Sequence, residues 1–130
     1  MSKYALDSSA LLAMLWDEPG ADKVAAVLPL CAISTVNVAE VVTKLADRGP
    51  STELLDLTLT GAHVEIVPFT DAQARICGAL RRATRSRGLS LGDRACLALA
   101  LDRGLTAVTA DAAWVGATDA PVLNIRPAKA

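Results

Sequence analysis

At 130 residues, 52% apolar but only 3% aromatic, the chain has room for one domain, residues 1–130, whose core must be built from Ala, Leu and Val. Thirteen Lys and Arg against 14 Asp and Glu leave a net charge of −1, so no global basic character advertises nucleic-acid binding, and any such contact must be local. No apolar run reaches the roughly 20 residues that span a bilayer, and an aspartate inside MSKYALDSSALL interrupts what would be a signal peptide's apolar segment, so a cytoplasmic protein is expected.

In chain order, Lys3 to Asp7 reads as a short apolar strand ending on a carboxylate. SSALLAMLWDEPG then switches to helical spacing and is closed by Pro19-Gly20. Asp22 to Leu28 makes a second short helix that Pro29 stops, and Cys31 to Ser34 is a second strand. Val36 to Arg48 is an amphipathic helix. Val38, Ala39, Val41, Val42, Leu45 and Ala46 form its apolar stripe, Asn37, Glu40, Thr43, Lys44 and Asp47 lie opposite, and Gly49-Pro50 ends it. Thr52 to Thr60 is helical, Val64 to Val67 is a third strand, and Asp71 to Arg85 is a longer helix whose end turns basic before Gly88. Ser90 to Arg103 differs from the other helices. It is apolar on every side from Ala95 to Leu101, the pattern of a helix buried on most faces, and Gly104 stops it. Thr106 to Thr109 is a fourth strand, Asp111 to Val115 a helical turn, and Val122 to Ile125 a fifth strand.

Strands alternating with helices predict an α/β domain, a mainly parallel sheet of four to five strands with helices on both faces. Ligands in such folds bind outside the carboxyl ends of the strands, so acids placed there are gathered by topology. Asp7, Glu40, Asp93 and Asp111 all fall at strand-to-helix or helix-start positions. Each has a plainer explanation. Asp7 and Asp111 suit helix N-caps, Asp93 fits the capping box Ser90-Leu91-Gly92-Asp93, and Glu40 four residues before Lys44 suits a solvated ion pair. Helical spacing also aligns Asn37 with Glu40, so both can face a cleft.

Taken jointly, the four acids demand compensation. Two carboxylates about 4 Å apart repel by roughly 4 kcal/mol at an effective dielectric near 20, and a cluster without a cation would protonate or separate. Oxygen ligands without histidine or thiolate select Mg²⁺, or Mn²⁺ in its place, over zinc.

Four segments then carry a resemblance: LDSSALLAMLW, STVNVAEVVTKL with Glu40, LSLGDRACLALA with Asp93, and VTADAAW with Asp111. In this order they resemble the PIN-domain nucleases, and the VapC toxins of bacterial toxin–antitoxin pairs in particular, over nearly the whole chain. The resemblance implies a PIN-like three-layer sandwich and metal-dependent endoribonucleolytic cleavage of RNA. It places the acidic site on Asp7, Glu40, Asp93 and Asp111 with Mg²⁺ as cofactor, and the small polar helpers on Ser8 or Ser9, Asn37 and Thr109. It also implies a homodimer and a cognate antitoxin as partners.

Other features are weaker. Arg75, Arg81, Arg82, Arg85 and Arg87 concentrate charge on one helix and its end, and Arg81, Arg82 and Arg85 are candidates for steering an RNA backbone. Cys31, Cys77 and Cys96, odd in number and set in apolar stretches, are expected to be core filler. No catalytic part is expected of His63, and Trp16 and Trp114 read as packing anchors. Two other readings compete. One is a binding module that keeps the fold without catalysis. The other is a phosphatase with Asp7 as covalent nucleophile, although such haloacid-dehalogenase-like sites expect a second aspartate where this chain has Ser9.

Overall fold

The computed structural model describes residues 1–49 and 51–126. Pro50, half of the expected Gly49-Pro50 stop, lies outside them. The described residues contain five strands: β1 (Tyr4–Leu6), β2 (Cys31–Ser34), β3 (Glu65–Val67), β4 (Thr106–Thr109) and β5 (Val122–Asn124). Between them run α1 (Ser8–Leu15), α2 (Ala21–Val27), α3 (Thr35–Arg48), α4 (Glu53–Gly61), α5 (Asp71–Ala79), the single turn α6 (Arg81–Thr84) and α7 (Leu91–Arg103). All strand pairs are parallel, in the order β3-β2-β1-β4-β5. The chain moves to one side of β1 for β2 and β3 and to the other for β4 and β5, so the crevice between β1 and β4 is the switch point where such sheets bind ligands.

Successive strand residues serve opposite cores, as the two-residue strand period requires. Leu6, Ile33 and Val108 pack with Leu11, Val24, Val41, Leu55 and Leu59 of α1 to α4. Their neighbours Ala5, Ala32 and Ala107 face the other way, onto Cys96, Leu97, Leu99 and Ala100 of α7. Alanine on that face lets α7 lie close to the sheet, close enough for Cys96 Sγ to reach the Ala5 carbonyl at 3.5 Å. Every residue from Ala95 to Ala100 is buried, as the all-round apolar pattern predicts. Behind α7 packs α5, through Cys77 against Ala95 and Ala98. The result is three layers, α1 to α4, the sheet, and α5 with α7. All three cysteines are free and buried.

The boundaries depart from expectation in one instructive place. The continuous helix expected over Asp71 to Arg85 is broken into α5, α6 and a 3₁₀ turn at Arg85–Arg87. Gly78, a weak helix former, precedes the break, and Thr84 turns its hydroxyl back onto the Leu80 carbonyl at 2.8 Å. The helix before Pro29 ends at Val27, with a 3₁₀ turn at Leu28–Leu30 taking up the proline. The turn expected after Asp111 is a 3₁₀ turn at Ala112–Trp114. Gly104, at φ +67°, closes α7 in the left-handed conformation that favours glycine.

Candidate functional site: four carboxylates at the sheet switch point

Asp7 continues β1 into the crevice, its amide bonded to the Val108 carbonyl at 2.9 Å. It occupies the N-cap position of α1, yet its side chain caps nothing. Instead Oδ2 accepts hydrogen bonds from Ser9 Oγ (2.5 Å) and Thr109 Oγ1 (3.0 Å), and the residue is 1% exposed. Those hydroxyls in turn accept from the Ala110 and Asp111 amides, both at 3.1 Å. One carboxylate oxygen thus ties the first turn of α1 to the end of β4. Burial pushes the Asp7 carboxyl up to about 7, helped by the Asp93 and Glu40 charges and opposed by the Ser9 and Thr109 bonds.

Glu40 comes from α3, which Ser34 caps by accepting from the Val36 amide at 3.2 Å. The solvated pair with Lys44 is not formed among the described residues. Glu40 turns inward, and its Oε1 accepts from Ser8 Oγ and Asn37 Nδ2, each at 2.9 Å. The same Asn37 amide reaches the Gly92 carbonyl at 3.1 Å, which joins α3 to the first turn of α7. Asn37 is fully buried, and its Oδ1 accepts no hydrogen bond among the described residues.

Asp93 and Asp111 do perform the plainer roles. The Ser90 hydroxyl accepts from the Asp93 amide (3.2 Å) while Asp93 Oδ2 accepts from the Ser90 amide (2.9 Å), completing the capping box. Asp111 Oδ1 accepts from the Ala113 amide at 2.9 Å and caps the 3₁₀ turn. Each cap uses one oxygen and leaves the other available. Burial chiefly raises the Asp93 carboxyl, the Ser90 bonds oppose it, and the Glu40 and Asp111 charges add to the rise.

All four acids therefore share one electrostatic neighbourhood. None takes part in an ion pair among the described residues, where the pairs are Arg75–Asp71, Arg103–Glu65 and Arg126–Glu18. Among the same residues, no three His, Cys, Asp or Glu side chains converge into a ready-made shell around one ion. An ion bound here would take one or two of the carboxylates directly and complete its shell with water, as Mg²⁺ does. The donor set is all oxygen, one oxygen is left on each capping acid, and Asn37 Oδ1 is a buried acceptor in want of a donor such as a coordinated water. The residues present fit a hydrated Mg²⁺.

Ser9 fills its position with a hydroxyl committed to Asp7, not with the second carboxylate that the phosphatase reading needs. Cys96, beside the cluster, has its thiol pushed well up by burial and then by the Asp7, Asp93 and Glu40 charges, which keeps it unreactive. Of the five clustered arginines, Arg75 pairs with Asp71 at 2.9 Å and Arg87 is tied to the Ala113 and Val115 carbonyls at 3.1 and 2.8 Å. Arg87 thereby braces the turn that Asp111 caps, a role hidden from sequence because its partners are backbone atoms 26 and 28 residues away. Arg81, Arg82 and Arg85 are exposed, and none forms an ion pair or hydrogen bond with the four acids among the described residues. Trp114 is fully buried, whereas Trp16 lies beneath the Arg48 guanidinium, 3.5 Å from its ring centroid. An open groove of about 280 Å³ lined by Leu45, Arg48, Gly49, Ser51 and Leu54 contains none of the acids. The carboxylate cluster is the better candidate for chemistry, because burial and like charge perturb Asp7 and Asp93, and no cationic side chain pairs with any of the four acids among the described residues.

Comparison with known proteins agrees with this architecture. The profile of the PIN domain matches residues 4–117. Among solved structures, the DNA-bound VapBC of Salmonella typhimurium is similar at a TM-score of 0.73, with 15% identity over 96% of this chain and 99% of that one. A toxin–antitoxin complex from Klebsiella pneumoniae gives a TM-score of 0.72, with 21% identity over 95% and 98% of the two chains. Mycobacterium tuberculosis VapC20, a toxin that cleaves the sarcin–ricin loop, gives 0.69, with 18% identity over 85% and 91%. No curated protein matches the sequence. The profile match spans β1 to β4, α7 and all four acids, and on it the chain belongs to the PIN-domain family.

Proposed function

We propose that this protein is a Mg²⁺-dependent endoribonuclease acting as the VapC-type toxin of a toxin–antitoxin pair. The observation that carries the reading is Asp7, a buried carboxylate at a helix N-cap that declines to cap, set among three other acids with no cation paired to any of them among the described residues. Asp7, Glu40, Asp93 and Asp111 would hold Mg²⁺, with Mn²⁺ able to replace it. When bound, the ion supplies neutralisation of the scissile phosphate and a lowered pKa for a water. The chain's own residues do the rest. Ser9 and Thr109 fix Asp7, and Ser8 and Asn37 fix Glu40. Glu40 or Asp111 takes the proton of the water that adds to phosphorus, the bond from phosphorus to the ribose oxygen breaks, and the departing oxygen takes a proton from solvent.

RNA as substrate, a cognate antitoxin, a homodimer and a cytoplasmic setting belong to the same reading. The similar solved structures include toxin–antitoxin complexes, and among the described residues no helix is long and apolar enough to cross a membrane. Exposed Arg81, Arg82 and Arg85 are free to meet an RNA backbone. RNA cleavage with Mg²⁺ or Mn²⁺, compared with Asp7→Asn, Asp93→Asn and EDTA, is the test. Cleavage that survives all three excludes the reading, and an inactive wild type that binds the neighbour-encoded partner favours a non-catalytic module.

A further inference from the structure

The surface that meets the Glu40 carboxylate is a stretch of backbone. A methyl group built on Gly92 would overlap the carboxyl carbon and both oxygens of Glu40, closer than non-bonded atoms approach. Around this contact, Ser8 Oγ and Asn37 Nδ2 hold Oε1 at 2.9 Å, and Asn37 Nδ2 also holds the Gly92 carbonyl at 3.1 Å. Gly92 lies within the first turn of α7 in right-handed helical conformation, where glycine is among the poorest formers and no positive φ calls for it. Backbone conformation thus gives no reason for a glycine here, and the Glu40 carboxylate gives a steric one.

We propose that Gly92 is a positioning residue, the seat on which the Glu40 carboxylate lies, and that its missing side chain sets the spacing of Glu40 from Asp93, the next residue along. The inference rests on the reading that the four acids bind a divalent cation. A larger residue at 92 meets the far end of a flexible side chain, so Glu40 swings away and loses the Ser8 and Asn37 bonds while the core under α7 stays packed. Fold stability and cation binding should therefore separate.

The test compares the full chain with Gly92→Ala, Glu40→Gln and the double variant, measuring Mn²⁺ affinity by electron paramagnetic resonance, melting temperature and RNA cleavage. Gly92→Ala should melt within about 10 °C of the wild-type temperature, since the better helix propensity of alanine partly offsets the lost Ser8 and Asn37 bonds. Its Mn²⁺ affinity should fall about 10- to 100-fold, the range for a lost positioning contact. The double variant should bind no more weakly than Glu40→Gln, because both changes remove one interaction. Wild-type affinity in Gly92→Ala, or losses that multiply in the double variant, overturns the proposal. Wild-type affinity in Glu40→Gln instead overturns the cation-site reading beneath it. If Gly92→Ala fails to fold, Gly92→Ala/Glu40→Ala decides. Recovery of the wild-type melting temperature supports the seat, and no recovery refutes it.

Discussion

Removing the Asp7 charge should make the metal-free protein more stable and its stability less dependent on pH. The folded state holds the Asp7 proton up to about 7, whereas an unfolded chain releases it near 3.8. Between those values the unfolded state binds fewer protons, so stability falls as pH rises through the window and is level outside it. At about 1.36 kcal/mol per pKa unit, the fall attributable to Asp7 is about 2–3 kcal/mol between pH 5 and 8. That is roughly 10 °C in melting temperature for a domain of this size. Asp7→Asn keeps both hydroxyl bonds if its oxygen takes the Oδ2 position, and it cannot ionise. Calorimetry in EDTA across pH 5–8 should show the wild type losing more than the variant by that amount, with the curves converging toward acid. Mg²⁺ should raise the wild type at pH 8 and leave Asp7→Asn nearly unmoved, since a cation needs the ionised carboxylate. Parallel pH curves in EDTA would refute the placement of Asp7 as a buried, uncompensated acid.

Three further outcomes follow from the same geometry. Ser9→Ala and Thr109→Ala each delete a bond that favours ionised Asp7. The pH midpoint of Mn²⁺ binding should move upward in both, with each variant losing about 1–3 kcal/mol of stability besides, because the Ala110 amide in one and the Asp111 amide in the other is left unpartnered. Asp93→Asn can still accept from the Ser90 amide, so the cap should hold and thermal unfolding should shift by less than about 1 kcal/mol, while Mn²⁺ affinity falls at least about tenfold. Unchanged Mn²⁺ affinity would mean that Asp93 is a cap and nothing more. Arg81, Arg82 and Arg85 changed together to Ala should flatten the salt dependence of RNA binding by about 2 in log–log slope if all three meet phosphates, and an unchanged slope removes them from the interface.

The fold was readable because its determinants are local and periodic. Alternating strands and helices, the stops at Pro29 and Gly104 and the all-round apolar stretch of α7 all declare themselves within a few residues. The break at Leu80 did not. Gly78 lowers helix propensity without forbidding a helix, and Thr84 acts only through a back-bond to the carbonyl one turn earlier. Sequence spacing also groups Arg87 with the exposed arginines, whereas its bonds depend on the turn after β4 folding back toward it.

The four acids show where single-residue reasoning stops. Capping rules describe Asp93 and Asp111 well, and both do cap, so for them the plain role and the candidate role use different oxygens of the same carboxylate. The same rules fail at Asp7, and the failure is informative. A free helix N-terminus would reward an aspartate that turned its side chain to the α1 amides. Here Ser9 and Thr109 hold that side chain in the crevice, where burial and two neighbouring charges act against its ionisation. The alanine face of the sheet adds to the conflict, because small residues at Ala5, Ala32 and Ala107 let α7 approach and bring Asp93 toward Asp7. A core that packs a buried carboxylate beside like charge, with hydroxyls in place to hold it, sacrifices stability that a cation can restore. The Asp7 hydroxyl bonds and the Gly92 seat are therefore parts of one arrangement, each holding a carboxylate in the same crevice.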